Sequence, residues 1–360
     1  MFRGDAWRTF TSAMTGEPNT ATSTHESRDE SATGQPADLK SLTPAMRQYW
    51  TQKQQAGDAI LLFRMGDFYE LFYDDAVLAA RVLGLTLTSR DKGQTPLAGI
   101  PYHALEGYLA RLVNAGYKVA ISEQVEDPKQ AKGVVERAIV RIVTPGTLTD
   151  DGLLDQTRPN ILAAICPDEP QVGVATVELS TGELAVWMCD EGALLDELAR
   201  VAPAEVLLAE WSGVGRHPLA EPIRERTGAC VTHRNATDFN PHRAQALIEE
   251  QFEVRGLIGF GFEKIDASLQ AAGALLAYLR ETQLGAIKHL RPPRRQRVED
   301  YLILDQTTLR SLEVERTMRG GSRSGSLLAA VDQTCNPMGA RLLRRWLCYP
   351  LNDIERIQRR

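Results

Sequence analysis

The chain has 360 residues, room for two or three domains, and its 43% hydrophobic and 24% charged residues are typical of a globular protein rather than a collagen or a disordered polymer. No apolar run is long enough for a membrane span, and the amino terminus lacks the apolar segment of a secretory signal. Five scattered cysteines predict neither a zinc site nor a disulfide framework, so we expect a reduced, cytoplasmic protein.

The formal net charge of −6 is unevenly distributed along the chain. Residues 151–267 carry 9 basic and 20 acidic side chains, whereas residues 268–360 carry 16 basic and 9 acidic ones. Separate modules with separate partners would explain this asymmetry, since a basic module can neutralise phosphates within an acidic chain. A solvated charged surface is the simpler explanation.

The amino-terminal half predicts a disordered tail followed by a small α/β domain. Residues 1–40 are rich in Ser and Thr and poor in large apolar residues, which is typical of disorder. A helix is expected from Thr43 to about residue 54, because Thr caps helices and the Pro that follows suits the first helical position. Further elements are expected in this order: strands over 59–64 and 68–72 around a break at Gly66-Asp67, a helix over 74–84, a strand over 85–88, a helix over 104–115 ended by Gly116, and a strand over 117–125.

The pattern after residue 160 predicts a second α/β domain and then a helical segment. Strands are expected over 161–165, 172–179 and 183–186, the last two joined by a hairpin turn at 180–182, and then a helix over 193–200 and a strand over 205–208. Helices are expected over 269–279, 307–318 and 338–347. We therefore divide the chain into a tail (1–40), two α/β domains (41–155 and 156–265) and an all-α segment (268–360).

Motifs for catalysis are scarce in this sequence. A phosphate-binding P-loop contains a Gly-Lys pair, and none of the eight lysines follows a glycine. Neither a G-x-S-x-G elbow nor an H-E-x-x-H motif is present. Glu178, on a predicted strand, is the one carboxylate that we consider as a metal ligand, and a solvent-facing strand carboxylate is the simpler interpretation. A metal-dependent nuclease would need two or three converging carboxylates.

The segment from Gly66 to Glu70 (GDFYE) is unusual. In an extended strand, Phe68 and Glu70 project to the same side and Tyr69 to the other. An aromatic ring beside a carboxylate suits a reader of damaged duplex, because the ring can wedge into the minor groove while the carboxylate hydrogen-bonds an exposed base edge. Spacing alone favours the ordinary alternative, in which the Phe lies in the core and the Glu is solvated.

Four blocks in order give this sequence a resemblance to the MutS family of DNA mismatch repair proteins. They are LLFRMGDFYELFYDDA at 61–76, LAGIPYHA at 97–104, VRIVTPGT at 140–147 and NPMGARLLRRWL at 336–347. The resemblance covers about residues 41–360, and the four blocks together make it far more specific than GDFYE by itself.

The resemblance implies a mismatch-recognition domain over 41–155, a connector domain with a ribonuclease H-like fold over 156–265, and the opening of a helical core or lever domain over 268–360. It implies that Phe68 stacks on a mismatched base, that Glu70 hydrogen-bonds that base, and that Met65 packs near the wedge. Arg90 and Lys92 are our own candidates for contacts to the DNA backbone. Arg341, Arg344 and Arg345, at helical spacing, are expected to make structural or interdomain contacts.

Partners and cofactors also follow from the resemblance. It implies mismatched duplex DNA as the ligand, a homodimer in the full-length family, a MutL-like repair protein bound through the connector domain, and a cytoplasmic, nucleoid-associated location. The family's clamp and carboxy-terminal ATPase, which binds ATP and magnesium, are expected to lie outside this chain, which by itself is expected to be no enzyme and to hold no cofactor or metal. The alternatives are a metal-dependent nuclease using the middle domain and an ATP-independent partner-binding protein.

Overall fold

The computed structural model describes residues 42–89, 95–126, 133–148, 158–213, 217–283, 287–296, 301–302 and 304–359. The chain divides into two compact units, the first reaching Leu148 and the second built on Thr149–Arg280 and Ala286–Arg360. The predicted tail lies outside the described residues. Within the described part, no helix is long and apolar enough to cross a membrane.

The first unit is a six-stranded mixed sheet with helices, and its strands are ordered β3-β4-β2-β1-β5-β6. Its strands are β1 (Ile60–Met65), β2 (Phe68–Phe72), β3 (Thr88–Ser89), β4 (Pro96–Pro101), β5 (Val119–Gln124) and β6 (Arg137–Val143). Its helices are α1 (Pro44–Ala56), α2 (Tyr73–Leu83) and α3 (Leu105–Asn114).

Local signals explain where these elements begin and end. The Thr43 hydroxyl accepts a hydrogen bond from the Met46 amide at 3.4 Å and caps α1, as predicted. Gly84, with φ +71°, ends α2 in the left-handed conformation. Asp75, in the first turn of α2, accepts the Leu61 amide at 2.9 Å and pairs with Lys53 at 2.9 Å. This carboxylate therefore joins α2 to β1 and α1.

The two faces of this sheet are covered by different helices. Tyr49 of α1 packs edge-on against Phe63 and Phe72, with ring centroids 5.6 and 4.8 Å apart, so α1 covers the face that Phe63 shares with alternate residues of β2. Ala98 and Ile100 of β4 are buried on the opposite face, where α2 and α3 pack. The antiparallel hairpin of β1 and β2 thus lies between two cores.

The second unit contains a six-stranded sheet ordered β11-β10-β7-β8-β9-β12. An antiparallel meander of β7 (Ile161–Asp168), β8 (Gln171–Glu178) and β9 (Glu183–Asp190) is extended by parallel strands, which are β10 (Glu205–Ala209), β11 (Cys230–Arg234) and β12 (Arg294–Arg295). The helices are α4 (Leu194–Val201), α5 (Ala220–Thr227), α6 (Pro241–Phe252), α7 (Ala267–Gln283), α8 (Gln306–Ser311), α9 (Leu327–Val331), α10 (Pro337–Cys348) and α11 (Ile354–Gln358).

Two expectations about this unit differ from the structure. Helix α7, which we placed at the start of the helical segment at residue 268, shares one hydrophobic core with the second sheet through side chains such as Leu275 and Leu279. Its apolar residues are buried all round, so their periodicity did not reveal that the helix covers a sheet. The helix predicted over 307–318 ends at Ser311 and gives way to turns.

The fold class itself, two mixed α/β sheets with helices followed by a helical segment, is confirmed.

Candidate nucleic-acid interface

The hairpin of β1 and β2 presents Phe68 at its turn. Met65 and Phe68 are partners across the hairpin, so the turn consists of Gly66 and Asp67 only. Gly66 has φ +62°, a value that favours glycine, and a turn with glycine first matches the right-handed twist of a hairpin. Phe68 is therefore the first residue of β2 and directly follows a two-residue turn.

Only the first residue of β2 is exposed, and the other four are buried. Phe68 is 47% exposed, whereas Tyr69 is 2% and Glu70 is 9% exposed. The Phe68 ring lies over Gly99 of β4, because a Cβ placed on that glycine would stand 3.6 Å from the Phe68 Cδ1 atom. The ring thus packs on the backbone of Gly99, and about half of its surface stays exposed to solvent. The ordinary alternative, a core Phe with a solvated Glu, is therefore wrong.

Glu70 lies on the same face of the sheet as Phe68. Its cross-strand neighbours are Phe63 of β1 and Gly99 of β4. A cation reaches this region from β6: the Arg137 guanidinium lies over the Phe63 ring, 5.2 Å from its centroid, and donates to the Arg64 carbonyl at 2.6 Å. Burial lowers the pKa of Arg137, and the negative charge of Glu70 opposes that shift. The buried carboxylate thus lies in the field of a half-buried guanidinium.

Of the other predicted site residues Met65, Arg90 and Lys92, the structure describes only Met65. Met65 stands directly across the hairpin from Phe68 and packs, half-buried, against the hydrophobic cluster beneath α1. Arg90 and Lys92, predicted to contact the DNA backbone, lie outside the described residues. Sequence reasoning missed Arg137, because β6 is far from the hairpin along the chain and no local spacing connects the two.

Glu178, considered as a metal ligand, is engaged by protein groups. Its Oε1 atom accepts from Arg341 at 2.7 Å, and the Thr181 hydroxyl donates to its Oε2 atom at 3.2 Å. No group of three or more candidate metal ligands converges among the described residues. The structure therefore lends no support to the nuclease alternative. Arg344 and Arg345 likewise pair with Glu315 and Glu183, which agrees with the structural contacts expected for these arginines.

Comparison with known proteins places this geometry in a family. Residues 43–152 match the family model of MutS domain I, residues 160–291 that of MutS domain II, and residues 307–360 that of MutS domain III. A two-unit α/β chain with this exposed aromatic hairpin is thus built from the domains of a mismatch repair protein. The chain belongs to the MutS family, as the four sequence blocks predicted.

Two curated relatives agree with this assignment. The protein named DNA mismatch repair protein MutS of Rhodopirellula baltica is 45% identical over 340 residues, which cover 88% of this chain and 38% of the relative. That of Methanothrix thermoacetophila is 45% identical over 323 residues, which cover 89% of this chain and 36% of the relative. The chain thus spans little more than a third of the length of these relatives.

Proposed function

We propose that the first unit recognises mismatched or unpaired bases in duplex DNA, as the first step of post-replicative mismatch repair. Phe68 enters the minor groove and stacks on the mismatched base, and Glu70 accepts a hydrogen bond from that base. One observation carries the proposal: at the hairpin turn the apolar ring is 47% exposed, and the carboxylate two residues further on, on the same face, is 9% exposed. Membership of the MutS family supports it.

Discrimination would come from the cost of deforming the duplex. Inserting an apolar ring unstacks a base step at a cost of about a few kcal/mol. A mispaired step is easier to kink than a paired one, so the same wedge binds the mismatch more tightly without reading the sequence around it. Glu70 adds a second criterion, because a desolvated carboxylate interacts strongly with a base edge whose own partner is missing.

Other residues of the proposal have supporting roles. Met65, directly across the hairpin from Phe68, would pack beneath the wedge. Arg90 and Lys92 would bind backbone phosphates, which orients the domain on the duplex without conveying sequence. No catalytic residue, cofactor or metal is assigned to this chain.

The wider activity rests on the family. ATP and magnesium, bound by a carboxy-terminal domain, would couple mismatch binding to a sliding clamp, and dimerisation would accompany that step. The second unit would bind a MutL-like repair protein, and the acidic excess of residues 151–267 suits a protein partner better than DNA. A cytoplasmic location beside the nucleoid accords with this role.

The experiment that tests the proposal compares Phe68→Ala with wild type on G·T-mismatched and matched duplexes, by fluorescence anisotropy at low salt. The variant should lose about 1–3 kcal/mol of binding free energy for the mismatched duplex, the range for one base–aromatic stack, and almost none for the matched one. Its thermal unfolding should be unchanged, because the ring is half exposed.

Val77→Ala is the matched control, since Val77 of α2 has the same fractional exposure of 47% in the same unit. That variant should keep the wild-type preference. A Phe68→Ala protein that still prefers the mismatched duplex as strongly as wild type would contradict the wedge.

A further inference from the structure

The Arg64 side chain hydrogen-bonds the turn that precedes Phe68. The Arg64 Nε donates to the Gly66 carbonyl at 2.5 Å, so the side chain of β1 reaches forward and closes onto the turn that follows it. The same guanidinium lies 4.3 Å from the ring centroid of Tyr102 and 5.3 Å from that of Tyr69. One arginine thus contacts the turn and two aromatic rings.

Tyr102 holds the second residue of the turn. Its backbone amide donates to the Asp67 carbonyl at 2.9 Å, immediately beyond the end of β4. The carbonyls of Gly66 and Asp67 are therefore each engaged, one by the Arg64 side chain and the other by the Tyr102 backbone. Because the Tyr102 ring also lies beneath Arg64, the two contacts support each other.

A hydrogen bond and an ion pair keep Arg64 in this position. The Tyr69 hydroxyl donates to Glu123 of β5, and burial, followed by the Glu123 carboxylate, raises the pKa of Tyr69 to about 12. Glu123 in turn lies 3.9 Å from an Arg64 Nη1. The hydroxyl thus stays protonated and keeps donating, and the guanidinium is fixed between a carboxylate and two rings.

Arg64 and Tyr69 lie on the face of the sheet opposite the one that bears Phe68 and Glu70. Arg64 and Tyr69 are partners across the hairpin, so they share one face of the sheet, and strand alternation puts Phe68 and Glu70 on the other. Arg64 can therefore act on the turn from the face opposite the one that would meet a base.

We propose that Arg64 and Tyr102 are positioning residues for Phe68. Together they hold the Gly66-Asp67 turn, so that the Phe68 ring has its binding orientation before DNA binds. This inference rests on the proposed mismatch recognition. A two-residue turn that starts with glycine is intrinsically mobile. If it had to be ordered on binding, part of the affinity gained by stacking would be lost, and a preorganised turn avoids that loss.

The experiment uses the 360-residue chain and four variants, Arg64→Met, Arg64→Lys, Tyr102→Phe and Tyr102→Ala. The first readout, without DNA, is hydrogen exchange of the residue 102 amide, which donates to the Asp67 carbonyl. The second is the ratio of the dissociation constants for matched and mismatched duplex. Arg81→Met is the control, since Arg81 is an exposed arginine of α2 in the same unit.

Arg64→Met should speed exchange of the residue 102 amide and reduce the ratio by about three- to tenfold, the loss that ordering one mobile side chain on binding causes. Arg64→Lys should behave like Arg64→Met, because an ammonium group lacks the planar fork that stacks on Tyr102 while donating to Gly66. Tyr102→Phe keeps the ring and should match wild type, whereas Tyr102→Ala should resemble Arg64→Met. In a Phe68→Ala background, Arg64→Met should cause no further loss of preference.

Two results would overturn the inference. Amide protection that is unchanged in Arg64→Met would show that the arginine does not hold the turn. Full rescue by Arg64→Lys would show that only the positive charge matters, as expected for a phosphate contact. The proposed function fails separately: if Phe68→Ala keeps its mismatch preference while Arg64→Met still exposes the amide, Arg64 holds the turn but has no role in reading a mismatch.

Discussion

Phe68 and Glu70 reverse the usual relation between polarity and burial. Burying an ionised carboxylate is costly unless a countercharge or hydrogen bonds compensate, and here the half-buried guanidinium of Arg137 supplies a countercharge from β6. Leaving an aromatic ring half exposed forgoes hydrophobic stabilisation of about 1 kcal/mol or more. Both features oppose stability, which is typical of residues that serve binding rather than folding.

His217 is a second residue whose environment has a measurable consequence. It is buried, its Nδ1 atom accepts the Leu219 amide at 3.1 Å, and its ring lies 5.5 Å from that of Trp211 and 5.9 Å from that of His233. Burial, followed by the charge of His233, lowers the pKa of His217 to about 4. The folded protein therefore holds this imidazole neutral.

Acidification should destabilise the second unit through His217. The unfolded chain takes up the proton near pH 6.5 and the folded chain only near pH 4, so this stability is present above pH 6.5 and is lost as the pH falls towards 4. The free energy of unfolding should fall by about 2 kcal/mol between pH 7 and pH 5 from this group. Urea titrations followed by fluorescence should show a weaker pH dependence in His217→Asn. Substitution of the exposed His242 should leave the dependence as in wild type.

At the scale of elements, α7 depends on glycines for its close approach to its neighbours. A Cβ on Gly173 of β8 would lie 2.1 Å from the carbonyl carbon of Ala267 and 2.2 Å from the amide nitrogen of Ser268, where α7 begins. A Cβ on Gly273 would lie 2.4 Å from the Cβ of Ala244 in α6. The first clash is with backbone, so the helix itself would have to move.

Gly173→Ala should therefore be strongly destabilising. Forcing α7 away from β8 opens the core that the helix shares with the sheet, and we expect a loss of about 2–3 kcal/mol in the free energy of unfolding, measured by urea denaturation. Gly192→Ala, where the added methyl group meets nothing within 4 Å, is the control and should stay close to wild type. Equal stability of the two variants would show that α7 has room to shift.

At the scale of the whole molecule, the second unit joins its sheet to the carboxy-terminal helices by ion pairs. Arg341 and Arg345, one turn apart on α10, reach Glu178 at 2.7 Å and Glu183 at 3.1 Å. These two carboxylates face each other across the β8–β9 hairpin. Both carboxylates belong to the part matched by MutS domain II, and both arginines to the part matched by domain III.

A double-mutant cycle of Arg341→Ala and Glu178→Ala should give a coupling free energy of about 1–2 kcal/mol in unfolding. The two side chains are 19% and 13% exposed, so solvent screens this pair less than a surface pair. The same cycle on Arg359 and Glu355, which are 77% and 82% exposed, should give a much smaller value. Similar coupling in the two cycles would mean that the Arg341 pair does not stabilise the contact between sheet and helix.

Elements whose signals are local could be predicted from the sequence. Thr43 and Pro44 open α1, Gly84 ends α2, and the turn at 180–182 joins β8 to β9, because caps and tight turns are decided by a few adjacent residues. Edge strand β6 was not predicted, and the predicted helix over 307–318 proved shorter. The assignment of α7 to the second sheet was also missed, since it depends on a core assembled from distant segments.

The sequence by itself determined the family, the α/β class and the placement of Phe68 and Glu70 on one face of a strand, because strand alternation is a local property. Only the tertiary structure decided that the ring is exposed and the carboxylate buried. Those outcomes depend on Gly99 beneath the ring and on Arg137 beside the carboxylate, which other strands bring to the hairpin. Contacts between strands distant in sequence are set by packing, which no single segment encodes.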